Sequence, residues 1–282
     1  MSTGKEMPRI IAICSGKGGV GKSFLSIHLA EYAAAKDQRV LLLDADLGLA
    51  NIHVMLEISS RGSVLEMVRG EKSLTDLIVS YDAGFDVLPG GSGFCELAAL
   101  DSAQQQVMMD EMRHAVSEYD LVLMDVATGI GDNVLYFVSA SESALVVLTP
   151  DPSSLTDAYA LIKILSHQRD TRRFMVLVNQ AEATEAHTIF KRLLSVTDRY
   201  LDVNLDYVGN LPYSRDISSA VYSQNILSEK TAPEIRQHLD IVFSNVLARP
   251  RDLARNGGLQ FFWEHSLKEG LSVDYNPTSK HD

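Results

Sequence analysis

Short runs of apolar residues alternate with segments of helical periodicity along most of the chain. The first run, residues 9–15, is rich in β-branched residues, and residues 22–36 follow it with apolar positions at helical spacing. Further runs predict strands at 39–46, 85–89, 120–126, 144–150, 174–180 and 205–212. Because these runs are apolar almost throughout, they are typical of strands that are buried on both faces. The pattern predicts an α/β fold: a doubly wound, mainly parallel sheet with helices on both faces.

The chain is expected to form one domain followed by a tail. Its 282 residues are enough to enclose one large core. A predicted helix at 232–248 ends the domain, and the Pro-, Gly- and Arg-rich stretch after it is typical of a linker. The expected boundaries are a domain at 1–248, a linker at 249–257, an amphipathic helix at 258–271 and a disordered tail at 272–282.

Composition and charge narrow the classes of function. No apolar run approaches the ~20 residues that a membrane span requires, and the N-terminus lacks a segment of signal-peptide length, so a cytoplasmic protein is expected. The two cysteines, Cys14 and Cys95, are too few for a disulfide framework and have no metal-ligand spacing. A net charge of −12 argues against direct DNA binding.

A glycine-rich loop follows the first predicted strand. Residues 16–23, GKGGVGKS, match the phosphate-binding pattern G-x-x-x-x-G-K-[ST] between a strand and a helix. The backbone amides would cradle phosphates, Lys22 would reach the β and γ oxygens, and the Ser23 hydroxyl would bind Mg²⁺. A simple glycine-rich turn would not explain Lys22 and Ser23. The predicted nucleotide contacts are therefore Gly16, Lys17, Gly18, Gly19, Val20, Gly21, Lys22 and Ser23.

Three carboxylates lie at the carboxyl ends of two of the predicted strands. Asp125 comes after four apolar residues and is expected to hold Mg²⁺, through water, near Ser23. Asp44 and Asp46 are alternate residues of an extended segment, so both side chains can face the same site. Asp46 is the candidate to orient or deprotonate the attacking water, and Asp44 would support the hydration shell of the metal. The alternatives are a helix cap at Asp125 and two solvated loop aspartates.

The loop resembles the deviant Walker A motif of the MinD/ParA class of ATPases. In that class the first lysine of GKGGVGKS, here Lys17, reaches the phosphates bound by a partner subunit when two ATP-bound subunits meet. The resemblance implies that Lys22 serves its own nucleotide while Lys17 serves the neighbouring one. It also implies a homodimer that forms with ATP and separates after hydrolysis.

Within this class, several segments are similar to the FleN/FlhG group of flagellar-number regulators. They are residues 42–58, 129–138, 154–165 and 197–221. The resemblance implies that Asn179, Pro212 and Tyr213 contact adenine, although a strand-end cap and a turn proline are the simpler interpretations. Phe24 stands where the class usually has a polar residue that can reach the α-phosphate, which predicts a weaker nucleotide contact there.

The resemblance implies a switch that hydrolyses ATP slowly and regulates flagellar number or placement, by restraining a flagellar master transcription activator. FlhF-type GTPases and flagellar C-ring proteins are further implied partners, although residues 1–9 lack the DQAxxL segment that many members carry. One alternative is a MinD-like ATPase that positions the division site or a cargo. Another is a binding module that holds nucleotide without hydrolysing it.

The predicted helix at 258–271 has one apolar face. Leu259, Phe262, Trp263 and Leu267 lie on this face, with charged residues elsewhere. Such a helix can lie in a membrane interface, and the resemblance implies reversible contact with the inner face of the membrane. The same face can instead dock on the surface of the protein itself.

Overall fold

The computed structural model describes residues 7–46, 51–63, 66–67, 69–90, 102–222 and 233–251. Its strands are β1 (Arg9–Ser15), β2 (Val40–Ala45), β3 (Val79–Tyr81), β4 (Phe85–Leu88), β5 (Leu121–Thr128), β6 (Ser143–Leu148), β7 (Arg173–Asn179) and β8 (Asn204–Leu211). Its helices are α1 (Lys22–Ala34), α2 (Ile52–Met55), α3 (Leu74–Leu77), α4 (Ser102–Val116), α5 (Asp132–Ala140), α6 (Pro152–Gln168), α7 (Ala183–Tyr200), α8 (Arg215–Tyr222) and α9 (Pro233–Ala248).

The eight strands form one sheet in the order β3-β4-β2-β5-β1-β6-β7-β8. All neighbouring strands are parallel except β3, which pairs antiparallel with β4 at one edge. The sheet confirms the predicted α/β fold with its mainly parallel strands. The short strand β3 is the element that the apolar pattern did not predict.

Two apolar cores cover the two faces of the sheet. Along β1, Ile10 and Ala12 pack into one core, whereas Ile11 and Ile13 pack into the other. All seven residues of β1 are buried, as expected for a central strand that has helices on both faces. Helices α1 and α9 cover one face, and α5, α6 and α7 cover the other.

The neighbours of β1 determine where a ligand can bind. The chain leaves β1 through α1 and enters β2, while β5 lies between β1 and β2 and β6 lies on the other side of β1. In an open parallel sheet, ligands bind at the carboxyl ends of strands where the chain direction around the sheet reverses. The carboxyl ends of β1, β2 and β5 therefore define the expected site.

The first residues of the predicted linker contact the opposite end of the sheet. The Arg251 guanidinium donates to the Glu142 carboxylate at 3.0 Å and to the carbonyl oxygen of Met7 at 3.0 Å. Arg249 donates to the carbonyl oxygen of Tyr207 at 3.0 Å. Both arginines are thus engaged with the body of the protein. The rest of the linker, the predicted helix at 258–271 and the tail at 272–282 lie outside the described residues.

Within the part of the chain that the structure describes, no helix combines the length and the apolar character needed to cross a membrane. The predicted amphipathic face of Leu259, Phe262, Trp263 and Leu267 is outside this part, and its contact with membrane or protein stays a prediction.

Candidate nucleotide-binding site

The loop between β1 and α1 passes through two close contacts that require glycine. A Cβ atom at Gly16 would lie 2.4 Å from the backbone of Asp157 in α6. At Gly21, where φ is +92°, a Cβ atom would lie 2.5 Å from Nδ2 of Asn179. Helix α1 starts immediately afterwards, with the Leu25 amide donating to the Gly21 carbonyl. The free amides at its N-terminus thus lie at the end of the loop, where they can bind an anion.

Lys22, Ser23 and Asp125 come together at the carboxyl end of β5. Asp125 is 3% exposed and accepts hydrogen bonds from the hydroxyls of Ser23 and, at 3.1 Å, Ser26. Burial raises the pKa of Asp125, while the positive charge of Lys22 and the two hydroxyl donors lower it. The structure therefore brings the three predicted residues together, and their part in binding magnesium stays a prediction. Ser26 lies almost one helical turn after Ser23, and that spacing is the signal from which it could have been predicted.

Asp44 makes contacts that the sequence did not predict. Its carboxylate accepts hydrogen bonds from the backbone amides of Asp46 at 3.2 Å, Asn51 at 3.0 Å and Ile52 at 3.1 Å. Burial, and next the charge of Asp125 on the adjacent strand, raise the pKa of Asp44 to about 7. Asp44 thus binds the amides at the start of α2, and its predicted part in the hydration of the metal stays a prediction.

Asp46 lies close enough to the two buried carboxyls to affect both of them. Its negative charge contributes to raising the pKa of Asp44 and of Asp125. Asp46 is itself half-buried, directly after the end of β2. Asp46 therefore lies at the edge of the cluster of three carboxylates. This position is compatible with its predicted contact with the attacking water.

The side chain of Lys17 is bound by its own chain. Its ammonium forms an ion pair with Asp151 and donates to the Ser153 hydroxyl at 2.8 Å. The hydrogen bond from Lys17 is the largest cause that lowers the pKa of Asp151 to about 2. Asp151 also caps α6, because its carboxylate accepts from the Ser153 amide at 2.8 Å. The predicted contact of Lys17 with the nucleotide of a partner subunit would require Lys17 to leave this arrangement.

A cleft of about 370 Å³ lies beside the glycine-rich loop. Lys17, Val20 and Asp151 line one part of it, and Gln180 and Tyr213 line another. Tyr213 is 61% exposed, so its ring is accessible to a ligand in the cleft. Pro212 is half-buried next to it. The structure therefore places Tyr213 and the phosphate loop at one cleft. Gln180 also lines this cleft, and no motif in the sequence predicted it.

Asn179 supports the glycine-rich loop directly. Its side-chain amide donates to the carbonyl of Val20 at 2.8 Å, and its side-chain oxygen accepts from the Gln180 amide at 2.9 Å. Asn179 is 7% exposed. One amide hydrogen and one oxygen lone pair of Asn179 are engaged with backbone here. The second hydrogen and the second lone pair are not used by these two bonds, and the contact with adenine stays a prediction.

Phe24 points into the core. Its side chain is 4% exposed, and its ring contacts the His28 ring edge-on with centroids 4.2 Å apart. A phosphate contact at this position can thus come only from the backbone amide. This agrees with the expectation that the side-chain contact typical of the class is missing.

Metal binding at this site would depend on the nucleotide. The described residues contain no group of three or more His, Cys, Asp or Glu side chains that could hold a metal ion. Magnesium in nucleotide sites is commonly held by one or two protein ligands together with phosphate oxygens and water. The Ser23 hydroxyl and the Asp125 carboxylate fit that arrangement.

Comparisons with known proteins decide the family. The AAA domain family matches residues 8–177. The chain is 36% identical to the antiactivator FleN of Pseudomonas aeruginosa over 92% of this chain and 94% of that protein. It is 32% identical to the flagellum site-determining protein YlxH of Helicobacter pylori over 94% of this chain and 91% of that protein. The chain belongs to the FleN/FlhG group of the MinD/ParA ATPase family. This confirms the resemblance that the sequence motifs indicated.

A solved structure of MinD shares the fold. The septum site-determining protein MinD of Pyrococcus horikoshii, complexed with Mg-ADP, superposes with a TM-score of 0.66 at 21% identity. The match covers 89% of this chain and 99% of that one. The FleN/FlhG chain described here thus has the MinD/ParA architecture from β1 to β8.

The raised pKa of Asp44 predicts how the stability of this FleN/FlhG-family protein depends on pH. Because its pKa is raised from 3.8 to about 7 in the folded state, the folded protein binds more protons than the unfolded chain between these values. The contribution of Asp44 to the free energy of unfolding is therefore present in full at low pH and is lost as the pH rises toward 7. The free energy of unfolding of nucleotide-free protein should fall by roughly 2 kcal/mol from pH 5 to pH 8 through this group.

Urea unfolding at both pH values measures this effect. In Asp44→Asn the same comparison should show a flatter profile, because the group that titrates is gone. Equal pH dependence in the two proteins would contradict the assignment.

Proposed function

We propose that the chain is an ATP-dependent dimerising switch that hydrolyses ATP slowly and regulates flagellar number or placement. The observation that carries this proposal is the identity of 36% to the antiactivator FleN, which extends over nearly the full length of both proteins. An antiactivator acts on an activator, so the proposed target is a flagellar master transcription activator. The similarity to YlxH, a flagellum site-determining protein, supports a role in flagellar placement.

The proposed ligands are ATP and Mg²⁺. The free amides at the start of α1 and the Lys22 ammonium would bind the phosphates. Ser23 and Asp125, which already share a hydrogen bond, would hold Mg²⁺ together with phosphate oxygens and water. When bound, Mg²⁺ would supply neutralisation of the charge that develops on the phosphates. The Mg-ADP complex of a MinD with the same fold supports this assignment.

Asp46→Ala should slow hydrolysis strongly while leaving ATP binding intact. Asp46 is proposed to orient or deprotonate the attacking water, and general-base catalysis typically contributes 10²- to 10⁴-fold to a rate. The variant should therefore accumulate as an ATP-bound dimer, which light scattering in ATP would detect. Asp198→Ala, which removes an exposed carboxylate from α7, serves as a control with normal turnover. If Asp46→Ala hydrolysed ATP at the wild-type rate, another residue would have to orient the attacking water.

Dimer formation is proposed to begin with release of Lys17. In the described structure Asp151 and Ser153 hold the ammonium within its own chain. Asp151→Asn keeps an oxygen that can cap α6 but removes the negative charge that attracts Lys17. The variant should dimerise at a lower ATP concentration than the wild type, in sedimentation experiments. Ser153→Ala, which leaves the ion pair in place, should change this concentration less. An unaltered ATP requirement in Asp151→Asn would show that the ion pair does not restrain Lys17.

Further partners follow from the same family membership. We propose a cytoplasmic protein that associates reversibly with the inner face of the membrane through Leu259, Phe262, Trp263 and Leu267. FlhF-type GTPases and C-ring proteins are proposed as additional contacts. Because Arg249 and Arg251 are engaged with the body of the protein, attraction of these residues to anionic lipid is not part of the proposal.

The alternative function is a MinD-like ATPase that positions the division site or a cargo. The fold shared with MinD favours it, but the identity of 36% to FleN over 92% of this chain favours the flagellar role. Deletion of the gene followed by electron microscopy separates the two proposals. Cells with an altered number of flagella and normal division would support the flagellar role. Minicells with normal flagella would support the alternative.

A further inference from the structure

A buried hydroxyl, that of Ser26, lies beside the proposed magnesium site and has no part in the predicted nucleotide contacts. Ser26 lies in α1, four residues after Lys22, and is 0% exposed. Its Oγ atom lies 3.1 Å from Oδ1 of Asp125 and 2.9 Å from the carbonyl oxygen of Lys22. Ser26 thus contacts the Asp125 carboxylate from within the protein interior, where bulk water does not compete with it.

The single hydroxyl hydrogen of Ser26 can be donated to only one of these two oxygens at a time. The Lys22 carbonyl already accepts the backbone amide of Ser26, as the hydrogen-bond pattern of an α-helix requires. A hydrogen bond to a charged carboxylate is also stronger than one to a neutral carbonyl. The Asp125 carboxylate is therefore the better acceptor of the two.

The other two groups that favour the charged form of Asp125 each have a second task in the proposed nucleotide complex. They are the Lys22 ammonium, which would bind phosphates, and the Ser23 hydroxyl, which would bind Mg²⁺. Asp46 acts in the opposite direction, because it repels a second negative charge. Among the described residues that donate to Asp125, Ser26 is the one without a proposed contact to nucleotide or metal.

We propose that Ser26 is a positioning residue, whose hydroxyl fixes the orientation of the Asp125 carboxylate for the binding of hydrated Mg²⁺. The proposal rests on the proposed binding of Mg²⁺ with nucleotide and adds the residue that prepares the carboxylate for it. A carboxylate can accept about four hydrogen bonds, so a bond at Oδ1 leaves acceptor capacity for Ser23 and for Mg²⁺ with its water. Partners that orient metal-binding groups typically contribute 10- to 100-fold to metal affinity or activity.

The test compares ADP binding in Mg²⁺ with ADP binding in EDTA, by calorimetry of the full chain. The affinity in EDTA reports on the phosphate-binding loop alone, and the ratio of the two affinities measures what the metal adds. In Ser26→Ala, ADP affinity in Mg²⁺ should fall about 10-fold, or to the EDTA value if that is nearer. The affinity in EDTA should stay as in the wild type, because the loop and its lysine are unchanged.

Ser166→Ala provides a matched control. Ser166 is a 4% exposed residue near the C-terminal end of α6, on the other face of the sheet, and its hydroxyl donates to the Lys163 carbonyl at 2.9 Å. Its loss removes a buried helical hydroxyl without touching Asp125, so both ADP affinities should match the wild type. Ser26→Thr keeps a hydroxyl at the original position and should retain most of the effect of Mg²⁺. Thermal unfolding without nucleotide checks that each variant is folded.

Steady-state hydrolysis gives a second measurement. Because Ser26 is proposed to act on metal binding through Asp125, Ser26→Ala should raise the Mg²⁺ concentration for half-maximal hydrolysis more than it lowers the rate at saturating Mg²⁺. An unchanged ADP affinity in Ser26→Ala, an equal loss in Mg²⁺ and in EDTA, or an equal loss in Ser26→Thr would overturn the role of the hydroxyl. Equal ADP affinities of the wild type in Mg²⁺ and in EDTA would instead overturn the magnesium assignment, and this proposal with it.

Discussion

Lys22→Ala is expected to abolish ATP binding. Lys22 is 8% exposed at the first position of α1, beside the buried carboxylate of Asp125. Its ammonium is the cation that would offset the β and γ phosphate charges in the same subunit. Charge-assisted hydrogen bonds contribute about 1.5–3 kcal/mol each, so loss of two of them should weaken ATP binding by roughly 100-fold or more. Calorimetric titration with ATP and Mg²⁺ measures the change.

A matched variant separates the local effect from a general one. Lys163→Ala removes an exposed lysine of α6 and should bind ATP as the wild type does. Far-ultraviolet circular dichroism should show the same fold in all three proteins, because Lys22 is the first residue of α1 and the apolar contacts of that helix persist. ATP affinity near the wild-type value in Lys22→Ala would remove the assignment of the phosphate-binding loop.

The strands were predictable because burial on both faces leaves a simple trace in the sequence. The predicted strand at 9–15 has the bounds of β1, and the predicted strand at 174–180 differs from β7 by one residue at each end. Strand β3 was missed because it has three residues, one of which is exposed, and lies at an antiparallel edge. A strand this short has no continuous apolar run that can be told from a loop.

The candidate site was predictable where its residues are close in sequence or lie at strand ends. The loop at 16–23 and Asp125 belong to local patterns whose geometry follows from the strand before them. The contact of Lys17 with Asp151 joins residues 134 positions apart, and that of Asn179 with Val20 joins residues 159 positions apart. Such contacts depend on which strands become neighbours in the sheet. No single motif in the sequence predicts the order of the strands.

Asp44 shows a different limit. The sequence predicted two carboxylates on one side of an extended segment. In the structure, the amides of Asn51 and Ile52 donate hydrogen bonds to the Asp44 carboxylate. A buried carboxylate that accepts several amides can be a structural acceptor as well as a metal contact. The spacing of Asp44 and Asp46 alone could not show that Asp44 accepts backbone amides whereas Asp46 lies at the edge of the carboxylate cluster.

Lys17→Ala should bind nucleotide as a monomer yet fail to form the ATP-dependent dimer. Lys17 is partly exposed at the edge of the cleft, whereas Lys22 is buried at the start of α1. A lysine that serves a neighbouring nucleotide contributes little to binding in its own subunit but supplies positive charge across the interface. Hydrolysis that depends on dimer formation should therefore fall with it. Calorimetry for ATP binding and sedimentation for dimerisation give the two measurements separately.

Mixing Lys17→Ala with Asp46→Ala chains tests whether Lys17 acts between subunits. In a mixed dimer, the Lys17→Ala chain keeps its own Asp46 and receives Lys17 from the Asp46→Ala chain, so this one site should regain turnover. The other site has neither group and should stay inactive. A mixture in which the second chain carries both substitutions provides the control, because no site in it has Asp46 together with a donated Lys17. Phosphate release should exceed that of either variant alone only in the first mixture. Normal dimerisation of Lys17→Ala in ATP would contradict the assignment, because the first lysine of the loop would then have no partner phosphate that depends on it.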